Sequence, residues 1–221
     1  MFSFSQLQQD INVIEFYNKK IGGFFVEIGA NNGVELSNTF LLEKAFGWRG
    51  VCCEPIPERF KQLVANRQNS LCCNGAVYHS SGLSVAFDIA NNYDLLSGIA
   101  EHIDGKDVVD VNKTTIHVPT ITLLDLLDNT NSPLFIDYIS IDTEGTELEI
   151  LKPFNFEKYT FGLMDIEHNF IEPRRTEIRN LLISKGYIYK GENKWDDMYQ
   201  HHSISASAEY NLKENIQIKK D

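Results

Sequence analysis

The sequence predicts an α/β fold built on a mostly parallel, doubly wound sheet, and three observations support this. Segments with strand character alternate with segments of helical character along most of the 221 residues, as in repeated βαβ units. The strands predicted over residues 21–28 and 135–141 are strongly apolar, which is typical of strands buried on both faces. Polar or glycine-containing turns follow them, and ligands in such folds bind beyond the carboxyl ends of the strands.

The first two helices and the strand between them follow from apolar spacing. Apolar residues fall on one stripe between residues 5 and 19, which predicts an amphipathic helix. The strand over 21–28 comes next, and a glycine-containing turn separates it from a helix over 38–46. We expect that helix to end at Gly47, because glycine readily adopts the left-handed conformation found at helix C-termini.

The next elements repeat this alternation. Residues 51–53 form a short apolar strand, and the prolines after it break the strand. Pro57 suits the first turn of a helix, which we predict to run to about Arg67. The short apolar segments at 71–73 and 85–89 are predicted strands.

A long polar segment occupies the middle of the chain. Residues 91–109 have weak periodicity and many polar side chains, so we expect a loop or lid with one short helix. A strand over 114–119 and a helix over 122–127 follow. The apolar strand at 135–141 then leads into a helix over 146–151.

The last predicted elements end the sheet. A strand over 161–166 precedes a helix over 173–185, which stops before a glycine. Residues 187–190 and 198–202 are predicted to form an antiparallel pair that closes the sheet.

Composition and charge restrict the function classes. The chain is 43% hydrophobic, so we expect one globular domain over residues 1–202 and a polar C-terminal tail over 203–221. A formal net charge of −11 argues against a nucleic-acid partner, which needs a basic stripe, and against docking on an anionic membrane. This charge favours a neutral or cationic ligand, and it is equally compatible with a role in solubility alone.

The four cysteines occur as two adjacent pairs, at 52–53 and 72–73. Neighbouring residues of a strand point to opposite faces, so neither pair forms an ordinary disulfide, and the spacing is not that of a zinc site. We expect reduced thiols buried in core strands. The sequence shows no signal-peptide pattern and no apolar stretch that approaches a membrane span, so we expect a cytoplasmic protein.

Two acidic residues at strand ends indicate the ligand. The turn after the first strand, residues 27–33, reads EIGANNG, and its glycines allow a ligand to approach the backbone closely. It is not the G-x-G-x-x-G of dinucleotide binding, and the Glu27 carboxylate would repel a pyrophosphate but suits a cation such as an amino-acid ammonium. Glu54 ends the second strand, where an acidic side chain can accept hydrogen bonds from both ribose hydroxyls. Alone, Glu54 could equally stabilise the start of the following helix.

The order and spacing of several short motifs resemble the FkbM family of S-adenosylmethionine-dependent methyltransferases. The motifs are QQD at 8–10, FVEIGANNG at 25–33, SNT at 37–39, GVCCEP at 50–55, ISIDTEGTE at 139–147 and EHN at 167–169. The resemblance implies a Rossmann-like class I methyltransferase domain, with a mostly parallel seven-stranded sheet, helices on both faces and an antiparallel closing strand. It also implies O-methylation, often of a sugar hydroxyl in a glycan or a glycosylated natural product.

The resemblance further implies which residues bind S-adenosylmethionine. They are Gln9, Glu27, Gly29, Asn31, Gly33, Ser37, Asn38, Glu54, Asn74 and Ala76. Residues 74–76 follow the third strand, where similar enzymes hold the adenine, although Asn74-Gly75 is also an ordinary turn signal.

The DTE and EHN motifs follow two strands that should be neighbours at the carboxyl edge of the sheet, and they are the candidate reaction centre. In one hypothesis, Asp142, Glu167 and either His168 or Asn169 bind a divalent cation, Mg²⁺ or Mn²⁺. Oxygen ligands suit these ions, and the bound ion would acidify a substrate hydroxyl.

The second hypothesis needs no metal. His168 takes the proton of the hydroxyl, because the pKa of histidine is near neutral, and Asp142 or Glu144 orients His168 or the substrate. Glu144 could also simply favour the N-terminus of the next helix.

Two other functions stay open at this level. A nicotinamide-dependent oxidoreductase is disfavoured by the missing second glycine and by the Glu27 carboxylate. A scaffold that keeps the cofactor fold without chemistry is weakened by the intact acidic residues but not excluded, because fold does not fix function. The WDD segment at 195–197 either lines a substrate pocket or is a turn, and the 91–109 loop is placed to shape acceptor choice.

Overall fold

The computed structural model describes residues 2–91, 96–104, 109 and 112–204. The helices are α1 (Gln9–Phe16), α2 (Phe40–Phe46), α3 (Pro57–Asn66), α4 (Leu123–Asn129), α5 (Glu147–Leu151) and α6 (Arg174–Ser184). The strands are β1 (Phe24–Ile28), β2 (Arg49–Cys53), β3 (Leu71–Cys73), β4 (Ala76–Val77), β5 (Ser84–Ala90), β6 (Gly98–Ile99), β7 (Lys113–Ile121), β8 (Phe135–Ile141), β9 (Thr160–Glu167), β10 (Tyr187–Asn193) and β11 (Asp196–His201).

The main sheet has seven strands in the order β10-β11-β9-β8-β1-β2-β3. Strands β3, β2, β1, β8 and β9 are parallel to their neighbours, whereas β11 is antiparallel to both β9 and β10. The α/β class is confirmed. The predicted mostly parallel seven-stranded sheet with an antiparallel closing strand is confirmed in part, because seven strands and an antiparallel edge are present but β10 and β11 make the sheet mixed and a second sheet is present.

The second sheet contains four strands in the order β4-β7-β5-β6. The segments predicted at 85–89 and 114–119 are strands, but they pair with each other as β5 and β7, outside the main sheet. A separate apolar cluster that includes Tyr78, Phe87 and Val118 packs against this sheet. The sequence did not predict this arrangement, because it depends on which distant strands meet.

Local signals set several element boundaries. Gly47 caps α2 with a left-handed φ of 65°, as predicted. The Thr122 side chain caps α4 by accepting a hydrogen bond from the Asp125 amide at 3.0 Å. Helix α1 is shorter than the predicted 5–19, because Asn18 and Lys19 have positive φ values that cannot continue a helix.

The strand register brings four strand ends to one edge of the main sheet. Ile28 of β1 pairs with both Cys53 of β2 and Ile141 of β8, and Ile141 pairs with Ile166 of β9. The residues that follow these positions therefore lie side by side, and β11 begins opposite the end of β9. Ligands of open α/β sheets bind at this edge, beyond the carboxyl ends of the parallel strands.

The remaining sequence expectations have mixed outcomes. All four cysteines are free; Cys52 and Cys53 are buried as predicted, whereas Cys72 and Cys73 are only partly buried. The domain boundary at 202 stays a prediction, and residues 205–221 of the predicted tail lie outside the described residues. None of the described helices combines the length and the apolar character needed to cross a bilayer.

Candidate active site

A cavity of about 420 Å³ lies at the carboxyl edge of the parallel strands. Its walls come from the turn after β1, the segments after β2 and β8, strand β4, residues 96–99 and the start of β11. The acidic residues that line it are Glu35, Glu54, Asp142, Glu144, Glu167 and Asp196. No lysine, arginine or histidine lines it among the residues that the structure describes. The cavity therefore favours a ligand that carries positive charge.

Gly29 allows the ends of three strands to meet. Its φ is +87°, and a Cβ there would lie 1.9 Å from the carbonyl oxygen of Asp142. Its amide donates to the carbonyl of Cys53 at 3.1 Å. Any side chain at this position would force apart the turns that form the floor of the cavity.

Glu54 is buried, with 5% of its surface exposed, and lines the cavity. Its carboxylate accepts hydrogen bonds from the amides of Asn31 at 2.9 Å and Ile56 at 2.8 Å. These bonds fix the carboxylate against the turn after β1. The predicted ligand Asn74 does not line the cavity, because its amide group donates to the carbonyl of Glu54 at 2.9 Å. Ala76, predicted with it, does line the cavity.

Glu27 lies behind the cavity wall and does not line it. Its carboxylate accepts from Ser37 Oγ at 2.9 Å, the Asn38 amide at 2.7 Å, Thr39 Oγ1 at 2.7 Å and Arg67 Nη1 at 3.2 Å. Protein donors thus use both oxygens. The predicted contact with a ligand ammonium is replaced by a positioning role, in which Glu27 holds the 37–39 loop in place.

Arg67, which the sequence analysis missed, completes this network. The side chain is fully buried and donates from Nε to Glu43 Oε2 at 2.8 Å and from Nη1 to Glu27 Oε2 at 3.2 Å. It also donates to the Gly33 carbonyl at 3.2 Å and to Thr39 Oγ1 at 2.7 Å. No local pattern marks a single arginine after α3 as important, since its partners are more than 20 residues away in sequence.

Gly33 was predicted to bind cofactor but does not line the cavity. Its φ is +78°, and a Cβ there would lie 2.6 Å from Leu63 Cδ1 and 2.7 Å from Arg67 Cγ. This glycine therefore permits α3 to pack closely against the turn. Its contribution to the site is indirect.

Two amide side chains of the cavity wall have unused hydrogen-bonding groups. Asn38 is 8% exposed and donates to Ser140 Oγ at 2.8 Å, while its Oδ1 has no partner. The Nδ2 of Asn31 is also buried without a partner. Buried polar groups are normally satisfied, so a ligand with a donor and an acceptor fits this part of the cavity. Ser37 and Gln9 line it as well, and Gln9 donates to Asp196 Oδ2 at 2.7 Å.

Three carboxyl groups meet at the end of β8 and β9. Asp142, Glu144 and Glu167 each have an oxygen within 4.8 Å of the others. Asp142 is accessible from the cavity, but desolvation by the cavity walls and the Asp196 carboxylate raise its pKa to about 7. Desolvation and the neighbouring Asp142 raise the pKa of Glu144 to about 9, and desolvation raises that of Glu167 well above its ordinary value.

The structure does not bring His168 into this group, so its geometry does not support the predicted roles of His168 as base and metal ligand. Glu167 faces the cavity, and the next residue points to the opposite side, as successive strand residues do. The His168 ring is 1% exposed, with Nε2 3.5 Å from Asp197 Oδ1 and Nδ1 accepting from the Phe170 amide at 2.9 Å. Burial lowers its pKa. The alternative ligand Asn169 does line the cavity, where its Nδ2 donates to Glu144 Oε2 at 3.2 Å.

The turn between β10 and β11 and the start of β11 contain the WDD segment at 195–197, for which the sequence allowed either a turn or a pocket wall. Trp195 and Asp196 line the cavity, while Asp197 points away and binds Arg175 and Arg179 at 2.6 and 2.9 Å. The described part of the 91–109 loop also reaches the site, since Leu96, Ser97 and Ile99 line the cavity.

Comparison with known proteins identifies the family. A family model described as the methyltransferase FkbM domain matches residues 27–189. The chain belongs to this family. Membership supports S-adenosylmethionine-dependent methylation, in agreement with the sequence resemblance. The FkbM match includes Glu54, Asp142 and Glu167, whereas Trp195 and Asp196 lie beyond it. A search of curated proteins gives no match.

Several solved methyltransferases are similar to this FkbM domain at low identity. The METTL16 methyltransferase domain has 11% identity and a TM-score of 0.49, over 86% of this chain and 65% of that chain. The precorrin-6y C5,15-methyltransferase from Geobacter metallireducens GS-15 has 10% identity and a TM-score of 0.47, over 86% of each chain. The N-terminal domain of human METTL16 in complex with SAH has 12% identity and a TM-score of 0.48, over 90% of this chain and 70% of that chain. At these values the likenesses say nothing about the acceptor.

Proposed function

We propose that this FkbM domain is an S-adenosylmethionine-dependent O-methyltransferase that methylates a sugar hydroxyl of a glycan or glycosylated natural product. The observation that carries the proposal is the cavity at the strand ends, which six carboxyl groups line without a basic residue among the described ones. A sulfonium with an ammonium group is the kind of cofactor that such a field attracts. A pyrophosphate is the kind that it repels.

The residues of the cavity fit this cofactor along its length. The unpartnered groups of Asn31 and Asn38 suit the amino-acid end. Glu54 suits the ribose, because a carboxylate can accept from two hydroxyls. Beside Glu54, the apolar side chains of Ile56 and Val77 line the cavity where the adenine ring would lie.

The same cavity also holds groups that suit a hydroxylated acceptor. Trp195 supplies an aromatic surface against which a sugar ring can rest, and Asp142 lines the same cavity. When bound, S-adenosylmethionine supplies an electrophilic methyl group. Asp142 then has two tasks, to hold the attacking hydroxyl in line and to accept its proton at Oδ. Glu144, on the same segment after β8, and Glu167, at the end of the adjacent strand β9, lie beside the Asp142 carboxyl.

The two alternatives fit the cavity less well. A nicotinamide dinucleotide would place a pyrophosphate among carboxylates, with no basic side chain of the described lining to balance it. A scaffold without chemistry gives no reason to bury a carboxyl cluster, because burying charged groups destabilises a fold. The oxidoreductase predicts binding of NADH, and the scaffold predicts a protein that transfers no methyl group.

Ligand-dependent melting and methyl transfer test the proposal. S-adenosylhomocysteine should raise the melting temperature of the purified protein and NADH should not, since a ligand specific for the native state stabilises it. A labelled methyl donor should then modify hydroxylated sugars in an acceptor panel. A shift with NADH alone would refute the proposal. A shift with S-adenosylhomocysteine but no transfer to any sugar would favour the scaffold, and transfer to a nitrogen or carbon atom would refute the O-methylation step.

A further inference from the structure

The geometry of the carboxyl cluster matches a cation site. The Asp142, Glu144 and Glu167 oxygens lie within 4.8 Å of one another. Ca²⁺ binds oxygens at about 2.3–2.6 Å and Mg²⁺ at about 2.0–2.1 Å, so two ligands of one ion are separated by at most about 5 Å for Ca²⁺ and about 4 Å for Mg²⁺. The spacing of the three oxygens suits the larger ion directly, and a small inward movement of the carboxyl groups brings them within reach of the smaller ions. No nitrogen or sulfur ligand belongs to this set, which favours hard cations over zinc.

A second observation comes from Glu167. The side chain is 5% exposed and lines the cavity, and its Oε2 receives no hydrogen bond from an amide, hydroxyl or basic group of the described residues, although its carboxyl group interacts with that of Asp142. In the described ranges, none of the three carboxylates forms an ion pair with a basic side chain. The nearby Arg174 is directed elsewhere, since it donates to Asp104 at 2.9 Å and to the Gly145 carbonyl at 3.1 Å. Two neighbouring carboxyl groups that face an acidic cavity, one of them buried, are groups that a bound cation would satisfy.

We infer that Asp142, Glu144 and Glu167 bind one divalent cation, Mg²⁺ or Mn²⁺. This set keeps two of the ligands predicted from the sequence and has Glu144 in place of His168 or Asn169. That the ion binds is inferred from the geometry alone. Its task rests on the proposed function: the ion would hold the acceptor hydroxyl and lower its pKa, and the Asp142 oxygen that is not a ligand of the ion would accept the proton.

The test is a Mn²⁺ titration of purified, EDTA-treated protein, followed by electron paramagnetic resonance without cofactor or acceptor. Wild type should bind one Mn²⁺ per chain. Glu167→Gln should bind it at least about tenfold more weakly, because a charged ligand is lost. Glu149→Gln is the matched control, because Glu149 lies on α5, outside the cluster and near Lys152. The affinity of this variant for Mn²⁺ should equal that of wild type.

Melting temperatures provide a second measurement. Mn²⁺ should raise the melting temperature of wild type and Glu149→Gln but not of Glu167→Gln. Asp142→Asn replaces Glu167→Gln if the latter does not fold, with the same expected loss of Mn²⁺ binding.

The results separate this inference from the proposed function. Absence of Mn²⁺ binding by wild type at millimolar concentrations, or equal binding by wild type and Glu167→Gln, overturns the inference. Wild type that binds Mn²⁺ but not S-adenosylhomocysteine supports the cation site and refutes the proposed function. Wild type that binds S-adenosylhomocysteine but not Mn²⁺ refutes the cation site and leaves the proposed function supported.

Discussion

Replacing Arg67 with methionine should strongly destabilise the protein. The guanidinium is buried between two carboxylates, at 2.8 Å from Glu43 Oε2 and 3.2 Å from Glu27 Oε2. Methionine keeps much of the side-chain volume but removes the charge and every donor. Glu27, which is 4% exposed, would be left as a buried anion without its cation, and Glu43, which is 2% exposed, would keep only Lys44, whose Nζ lies 3.2 Å from Oε1.

The size of the effect follows from these contacts. Removing one partner of a buried ion pair costs about 3–5 kcal/mol. Neutral donors remain for both acids, since Ser37 and Thr39 still donate to Glu27, and Ser70 still donates to Glu43 at 2.5 Å. We therefore expect the free energy of unfolding to fall by about 3–4 kcal/mol. A second change, Glu43→Gln, should restore about 1–2 kcal/mol of the lost free energy of unfolding, because it removes one of the two buried negative charges that Arg67 had paired.

Urea unfolding followed by circular dichroism measures these free energies. The control is Lys61→Met, which removes an exposed cation from α3, the helix that ends just before Arg67, and should change stability by less than about 0.5 kcal/mol. The 37–39 loop forms part of the cavity wall, so affinity for S-adenosylhomocysteine should also fall in Arg67→Met. A loss of less than about 1 kcal/mol in Arg67→Met, or no recovery in the double variant, would refute the account of Glu27 as a positioning residue.

Four further predictions concern the site and its surroundings. Glu54→Gln should weaken S-adenosylhomocysteine binding by about 1–3 kcal/mol in calorimetry, as for a lost charge-assisted hydrogen bond; unchanged affinity would remove Glu54 from the site. Trp195→Ala should raise KM for the acceptor while cofactor affinity stays constant, and a selective loss of cofactor binding would contradict its acceptor role. His168→Gln should keep kcat within a few-fold of wild type, whereas a loss near a thousandfold with normal cofactor binding would restore His168 as the base. Burial and the Asp196 carboxylate raise the pKa of Asp165 to about 7, whereas the pKa of an aspartate in an unfolded chain is about 3.9. Between these two pH values the folded state binds more protons than the unfolded state. The free energy of unfolding therefore falls as pH rises from about 4 to 7. Asp165→Asn should flatten that fall and stabilise the protein relative to wild type at pH 8 by about 1–3 kcal/mol, and parallel stability curves for the two proteins would contradict this.

Local sequence patterns were sufficient to locate the site along the chain. Apolar runs and turn residues placed strands at 71–73 and 135–141, which the structure has with the same bounds. Parallel strands end at one edge of a sheet, so the residues after them could be expected to meet there. Gly29 and Glu54 follow from this rule, and so does Asp142.

The direction of each side chain at that edge was decided only by the tertiary structure. Glu27 and Glu167 are both acids at strand ends, yet one is enclosed by Arg67 and the 37–39 loop while the other faces the cavity. His168 follows Glu167 directly and points away from it. Sequence alternation says that neighbours face opposite sides, but it does not say which side holds the ligand.

The remaining features depend on contacts between distant segments. Arg67 reaches Glu27 across 40 residues, and β5 pairs with β7 in a second sheet that supplies part of the cavity wall. The sequence alone determined the order of the elements and the acidic residues placed at the ends of the parallel strands. Only the packed chain determined which of those acids share one cavity, because their positions follow from long-range packing that no local pattern records.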